Sequence, residues 1–209
     1  MHVHSPLRIL IAMTAPITVM IMFCIILALS DFRLEYCPHE PCYCENRTST
    51  SIVAQPINAW STLLFVVVSF IIAFHSSLFI QETQKFIEVW CWGFSTAFLG
   101  PGSLVFHAYY TFWGEILDAS SMYIFLSVLI ATEICRRIPV YNPWVFVLVV
   151  AVLAPLTCSS EAWLYDGQKE YVFVALIVLY LIIALLPEPN YCMKRIYFVV
   201  ALMFMIVAT

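Results

Sequence analysis

Residues 100–123, Gly-Pro-Gly-Ser-Leu-Val-Phe-His-Ala-Tyr-Tyr-Thr-Phe-Trp-Gly-Glu-Ile-Leu-Asp-Ala-Ser-Ser-Met-Tyr, place a serine, a histidine and an aspartate in strongly apolar surroundings. Ser103 and His107 are four residues apart, so on a helix they share one face, about a turn from each other. A reversal centred near Tyr110 to Trp113 folds the next helix back antiparallel. Asp118 then lies level with position 105, between Ser103 and His107 in height, on a neighbour whose axis is about 8–10 Å away. Spacing thus predicts a hydroxyl, an imidazole and a carboxylate converging near one end of a helix pair. Glu115, a turn before Asp118, reads as a solvated charge favoured at the helix start.

The surroundings decide the fold class. Of 209 residues, 63% are hydrophobic and 11% charged, against about 25% charged in a soluble domain. Seven apolar segments stand out, at 9–29, 57–80, 86–108, 113–134, 143–158, 171–187 and 195–209. Crossing a bilayer takes about 20 residues, and backbone polar groups in lipid must be satisfied within the segment. The expectation is an all-α, polytopic transmembrane helix bundle of about seven helices. Nine Lys and Arg are scattered without a basic patch, which argues against nucleic-acid binding. The partner implied is the lipid bilayer.

Residues 1–30 read as a retained N-terminal helix or signal anchor. Their 21-residue apolar run exceeds the roughly 7–15 of a cleaved signal, the other reading. Residues 31–56 form a cysteine-containing loop and 57–209 the membrane core. Arg33, Arg47 and Lys169 fall on the side of that loop; Arg8, Lys85, Arg136, Arg137, Lys194 and Arg195 fall on the other. Positive charge concentrates in the cytoplasm. The N-terminus is therefore expected inside, and the His107 end outside or in a lumen.

In that loop Cys37, Cys42 and Cys44 are disulfide candidates on an oxidising side. A zinc knuckle using His39 as well would crowd four ligands into eight residues, which leaves little room for tetrahedral closure. Gly100-Pro101-Gly102 is expected to interrupt its helix at membrane depth, because proline removes a backbone donor. Ionisable residues inside membrane helices are functional candidates by default. The plain alternative is a His–Asp pair acting as interhelical glue.

These residues resemble the alkaline ceramidase family, within the CREST superfamily of seven-helix membrane hydrolases that includes adiponectin-receptor-like proteins. The resemblance lies in Ser-x-x-x-His at 103–107, Asp118 after ten intervening residues, and Ser-Ser-Met-Tyr at 120–123. Upstream, Cys44-Glu45-Asn46 and "QPINAWSTLLF" at 55–65 resemble the family's approach to its first core helix. The resemblance implies a zinc-dependent amide hydrolase that cleaves ceramide-type lipids to a sphingoid base and a fatty acid. It casts His107 as a zinc ligand, Asp118 as the proton shuttle and Ser103 as the partner of the reacting group. Zn2+ is the cofactor expected. Ca2+, held by acidic residues in the family, has only Glu45 and Gln55 at comparable places and is not expected to be retained.

The family's other two histidines lie in a His-x-x-x-His motif that this sequence does not contain. Counted from 57–80, residue 209 closes the sixth of seven core helices. The chain is therefore expected to be a piece of a longer hydrolase or a degenerate, inactive member. The alternative function is a non-catalytic lipid-binding or receptor-like protein of the same fold.

Overall fold

A computed structural model of the chain describes residues 6–29, 53–79, 83–109, 111–138, 142–163 and 166–186. Among them there is no strand, and the helices are α1 (Pro6–Leu29), α2 (Pro56–Ser61), α3 (Leu63–Phe79), α4 (Thr83–Tyr109), α5 (Phe112–Arg137), α6 (Pro143–Trp163) and α7 (Asp166–Leu185). The protein is all-α. Four spans are long and apolar enough to cross a membrane: Pro56–His75, Phe86–Tyr109, Phe112–Arg137 and Pro143–Ser160. Ile9–Ile25 and Tyr171–Leu185 are shorter apolar stretches. The expected segment 195–209 and the loop carrying Cys37, His39, Cys42, Cys44 and Glu45 lie outside the described residues.

α4 is central. It packs against α1, α2, α3, α5 and α6, while α5 adds contacts to α6 and α7. Large apolar side chains such as Leu64, Ile71, Trp144, Leu148 and Leu156 are exposed, as lipid-facing residues would be. Small hydroxyl residues line the interior, where they let helices approach closely. Ser69, Ser95, Ser121 and Ser127 are all fully buried. Each donates to a carbonyl of its own helix, as in Ser69 Oγ to Val66 O at 2.6 Å and Ser127 Oγ to Tyr123 O at 2.7 Å. Such back-bonds satisfy a hydroxyl without a partner helix.

The apolar segment expected at 57–80 is present as one span over Pro56–His75, in which Thr62 is a single turn residue with helical backbone angles between α2 and α3. The Thr62 hydroxyl bonds Ala59 O at 2.8 Å, and its own carbonyl accepts from Phe65 N at 3.1 Å. One sequence expectation is corrected: Gly100-Pro101-Gly102 does not interrupt its helix, because α4 runs through Pro101 without a break. The two glycines serve close packing instead. A Cβ on Gly100 would sit 2.8 Å from Val66 Cγ2 and 2.9 Å from Thr62 O; one on Gly102 would sit 2.9 Å from Leu117 O and 3.0 Å from Ser121 Oγ.

At the opposite end from His107, Glu133 is buried and bonds Arg136 and Arg137, each at 2.8 Å. Arg137 also reaches Leu186 O at 3.3 Å and so ties α5 to the end of α7.

Gly102→Ala is expected to force α4 and α5 apart, since a backbone carbonyl cannot swing away as a flexible side chain can. Overpacking of this kind costs about 1–3 kcal/mol. Thermal unfolding in detergent micelles measures it, and an unchanged midpoint would contradict the close seam.

Candidate functional site

The α4–α5 hairpin sets the geometry. α4 ends at Tyr109 and Thr111 caps α5, its Oγ1 accepting from Gly114 N at 3.1 Å. A Cβ on Gly114 would lie 2.9 Å from Phe106 Cα, so the two backbones nearly touch there. Phe106 thus faces Gly114, and Gly102 faces Leu117 and Ser121. Asp118 falls at the height of residues 102–105, within a turn of the level read from the sequence.

Ser103 lies beside the Asp118 carboxylate across this seam, near enough for its hydroxyl to act on it. Asp118 is anchored through its backbone, whose carbonyl accepts from Ser121 Oγ at 2.7 Å. Glu115 is half-buried in the first turn of α5, near enough to act on the charge of Asp118. It is thus closer to the cluster than a solvated helix-start charge.

His107 stands one turn above Ser103, in the last turn of α4. Its ring is held from another direction. Nδ1 lies 2.6 Å from Oε1 of Gln55, a residue that is only 2% exposed. Gln55 N donates to His107 O at 3.0 Å, and Ala54 N donates to Ala108 O at 3.0 Å. The last carbonyls of a helix have no partner within it. Residues 54–55 therefore satisfy two of them and seal the end of α4.

The structure brings Ser103 and Asp118 side by side, and places His107 a turn away in a hydrogen bond with Gln55. The sequence reading missed Gln55 in this role, setting it only beside possible calcium ligands. The signal was "QPIN" at 55–58, a polar residue before a proline that begins a helix. Serine, threonine, aspartate or asparagine usually caps there. The Gln55 side chain makes no capping bond to α2. Glu45 lies outside the described residues, and His75 is exposed on α3, away from this cluster.

Among the described residues, no three of His, Cys, Asp and Glu gather closely enough to hold a metal ion. Catalytic zinc takes three protein ligands. His107 and Asp118 offer an imidazole and a carboxylate, so the described residues do not by themselves make a complete zinc site. Beside Ser103, a crevice lined by Val19, Met22 and Phe23 of α1 with Pro101, Gly102 and Leu117 is apolar but too narrow for a lipid chain. A wider apolar groove between α1 and α3, lined by Ile17, Met20, Ile21, Cys24, Ile25 and Phe70, opens to the surface.

No known protein family, curated protein or solved structure matches the chain.

Ser103→Ala is expected to shift the carboxyl stretching band of Asp118 in infrared difference spectra, with Asp118→Asn identifying the band. An Asp118 band indifferent to the serine would show that the hydroxyl does not act on the carboxylate.

Proposed function

We propose that the protein is a membrane-embedded amide hydrolase acting on a ceramide-like lipid. What carries the reading is the Ser103–Asp118 pair, adjacent across the α4–α5 seam, set a turn below an imidazole and surrounded by lipid-facing helices. An intramembrane carboxylate is costly, and such residues mark sites of proton or ligand handling. The resemblance of 103–123 to the alkaline ceramidases supplies the reaction class.

In this reading Asp118 takes the proton of the attacking water and returns it to the leaving amine, as general base and then acid. Ser103, beside Asp118, turns its donor to the oxyanion that develops on the amide carbonyl. His107 is the one imidazole the described site would offer to Zn2+, and a bound zinc would supply an acidified water and a polarised carbonyl. The two hydrocarbon chains of the substrate enter from the bilayer, and the products are a sphingoid base and a fatty acid.

The N-terminus is read as cytoplasmic and the site as extracytoplasmic or lumenal, a reading that the distribution of Lys and Arg supports. Trp60 and Trp113, both well exposed near the site end, suit an interfacial belt. Trp113→Cys is then expected to react with an impermeant thiol reagent from the exterior or lumenal side. Labelling from the cytoplasmic side alone would reverse the orientation.

A second reading, a lipid-binding or receptor-like protein without turnover, is favoured by the apolar groove between α1 and α3 that opens to the surface. One assay separates the two. The purified chain with zinc is incubated in micelles with an N-acyl sphingoid lipid, and free fatty acid is measured. The hydrolase reading expects release that falls about 10²–10⁴-fold in Asp118→Asn and about 10²–10³-fold in Ser103→Ala. Saturable lipid binding with no fatty acid released would establish the non-catalytic reading.

A further inference from the structure

We propose that Gln55 is a positioning residue that fixes His107 as its Nδ1–H tautomer and so presents Nε2 as the lone-pair nitrogen of the site. The argument begins with the acceptor. A neutral imidazole has one donor and one acceptor nitrogen, and the hydrogen bond at one sets the role of the other. Oε1 of Gln55 lies 2.6 Å from His107 Nδ1. Asn58 Nδ2 approaches the same Oε1 at 3.5 Å. The Gln55 amide thus turns its oxygen, which can only accept, to the ring, and the proton of this bond belongs to His107 Nδ1.

The backbone makes this arrangement stiff. Gln55 N is bonded to His107 O and Gln55 O accepts from Ala59 N at 2.9 Å. The residue is thus pinned on one side to the helix that bears the histidine and on the other to the first turn of α2. Pro56 stands next, at the start of that turn, and proline fixes the local chain direction. Only the side-chain amide remains to be placed, and it is almost wholly buried. Histidines that act as metal ligands through one nitrogen typically donate from the other to an oxygen that orients the ring. Gln55 supplies that oxygen without a charge. The segment 53–58 therefore belongs to the site, although it lies some fifty residues from His107 in the chain.

This inference deepens the hydrolase reading and rests on it only for the use to which Nε2 is put; the tautomer itself is independent. The test uses the full chain in micelles, with histidines labelled with nitrogen-15 and His107 assigned by its loss in His107→Gln. In mildly alkaline buffer the wild type is expected to show His107 as the Nδ1–H form. Gln55→Glu, which keeps an acceptor oxygen, is expected to preserve it. Gln55→Leu, which keeps every backbone bond of the segment, is expected to yield a mixture of tautomers.

A wild-type Nε2–H form, or a Gln55→Leu spectrum identical to the wild type, overturns the proposal. Zinc titration against a chromophoric chelator then separates the two readings. Weakening of zinc by about 10–100-fold in Gln55→Leu, restored in Gln55→Glu, supports both. A locked tautomer in a wild type that takes up no zinc supports the role of Gln55 and removes the metal from the function.

Discussion

A bilayer offers no hydrogen bonds, so every polar group carried into it must find its partner within the protein. Several polar residues of this bundle meet that constraint in different ways. Ser69, Ser95, Ser121 and Ser127 turn back onto their own helices and cost the packing nothing. Glu133 is neutralised by two arginines at one end of α5, a solution that also ties α7 in place. Ser103, Asp118 and His107 are met by other elements. Ser103 and Asp118 face each other across the α4–α5 seam, and His107 bonds Gln55, an arrangement that holds only while α2, α4 and α5 keep their mutual register. A site of this kind is specified by tertiary packing and is lost when packing loosens.

Packing is in turn governed by glycine. Gly102 and Gly114 remove the Cβ atoms that would otherwise hold α4 and α5 apart, and the seam closes to near backbone contact. Ser103 has one of the shortest side chains, and its hydroxyl comes near Asp118 only across so narrow a gap. A longer hydroxyl-bearing residue would not restore a wider seam, because the helix axes themselves would have moved. The energetics of the bundle and the chemistry of the cluster thus share the same few residues.

Much of this was legible in the sequence. Runs of apolar residues near bilayer length lead to helices, and an interval of four between Ser103 and His107 leads to one face. A short connection between α4 and α5 sets the height of Asp118 to within a turn. Other features depend on contacts that no local pattern announces. Pro101 reads as a break, yet the helix passes through it, because flanking glycines let neighbouring helices press against both sides. Thr62 lies within an unbroken apolar run and gives no sign of the turn between α2 and α3. Gln55 was hardest to foresee. It pairs with a histidine fifty-two positions later, and only the assembled bundle brings the two together.

Gly100 and Gly102 lie two residues apart, and two residues on an α-helix are separated by roughly 200°. They therefore face nearly opposite ways, Gly100 toward the α2–α3 turn and Gly102 toward α5. One turn of α4 is gripped from both sides, with Pro101 at its centre. Proline has no N–H to donate along the helix, so this turn holds its shape through its neighbours more than through its own bonds. The next turn, residues 103–107, is the part of α4 that carries the serine and the histidine. From α5 comes the carboxylate beside Ser103, and from the chain leading into α2 comes the amide for His107. The two halves of the cluster are supplied from the two sides that the glycines open. The Gly-Pro-Gly triplet thus serves as a fulcrum for the site, which explains its position one residue before Ser103 without requiring any gap in the helix.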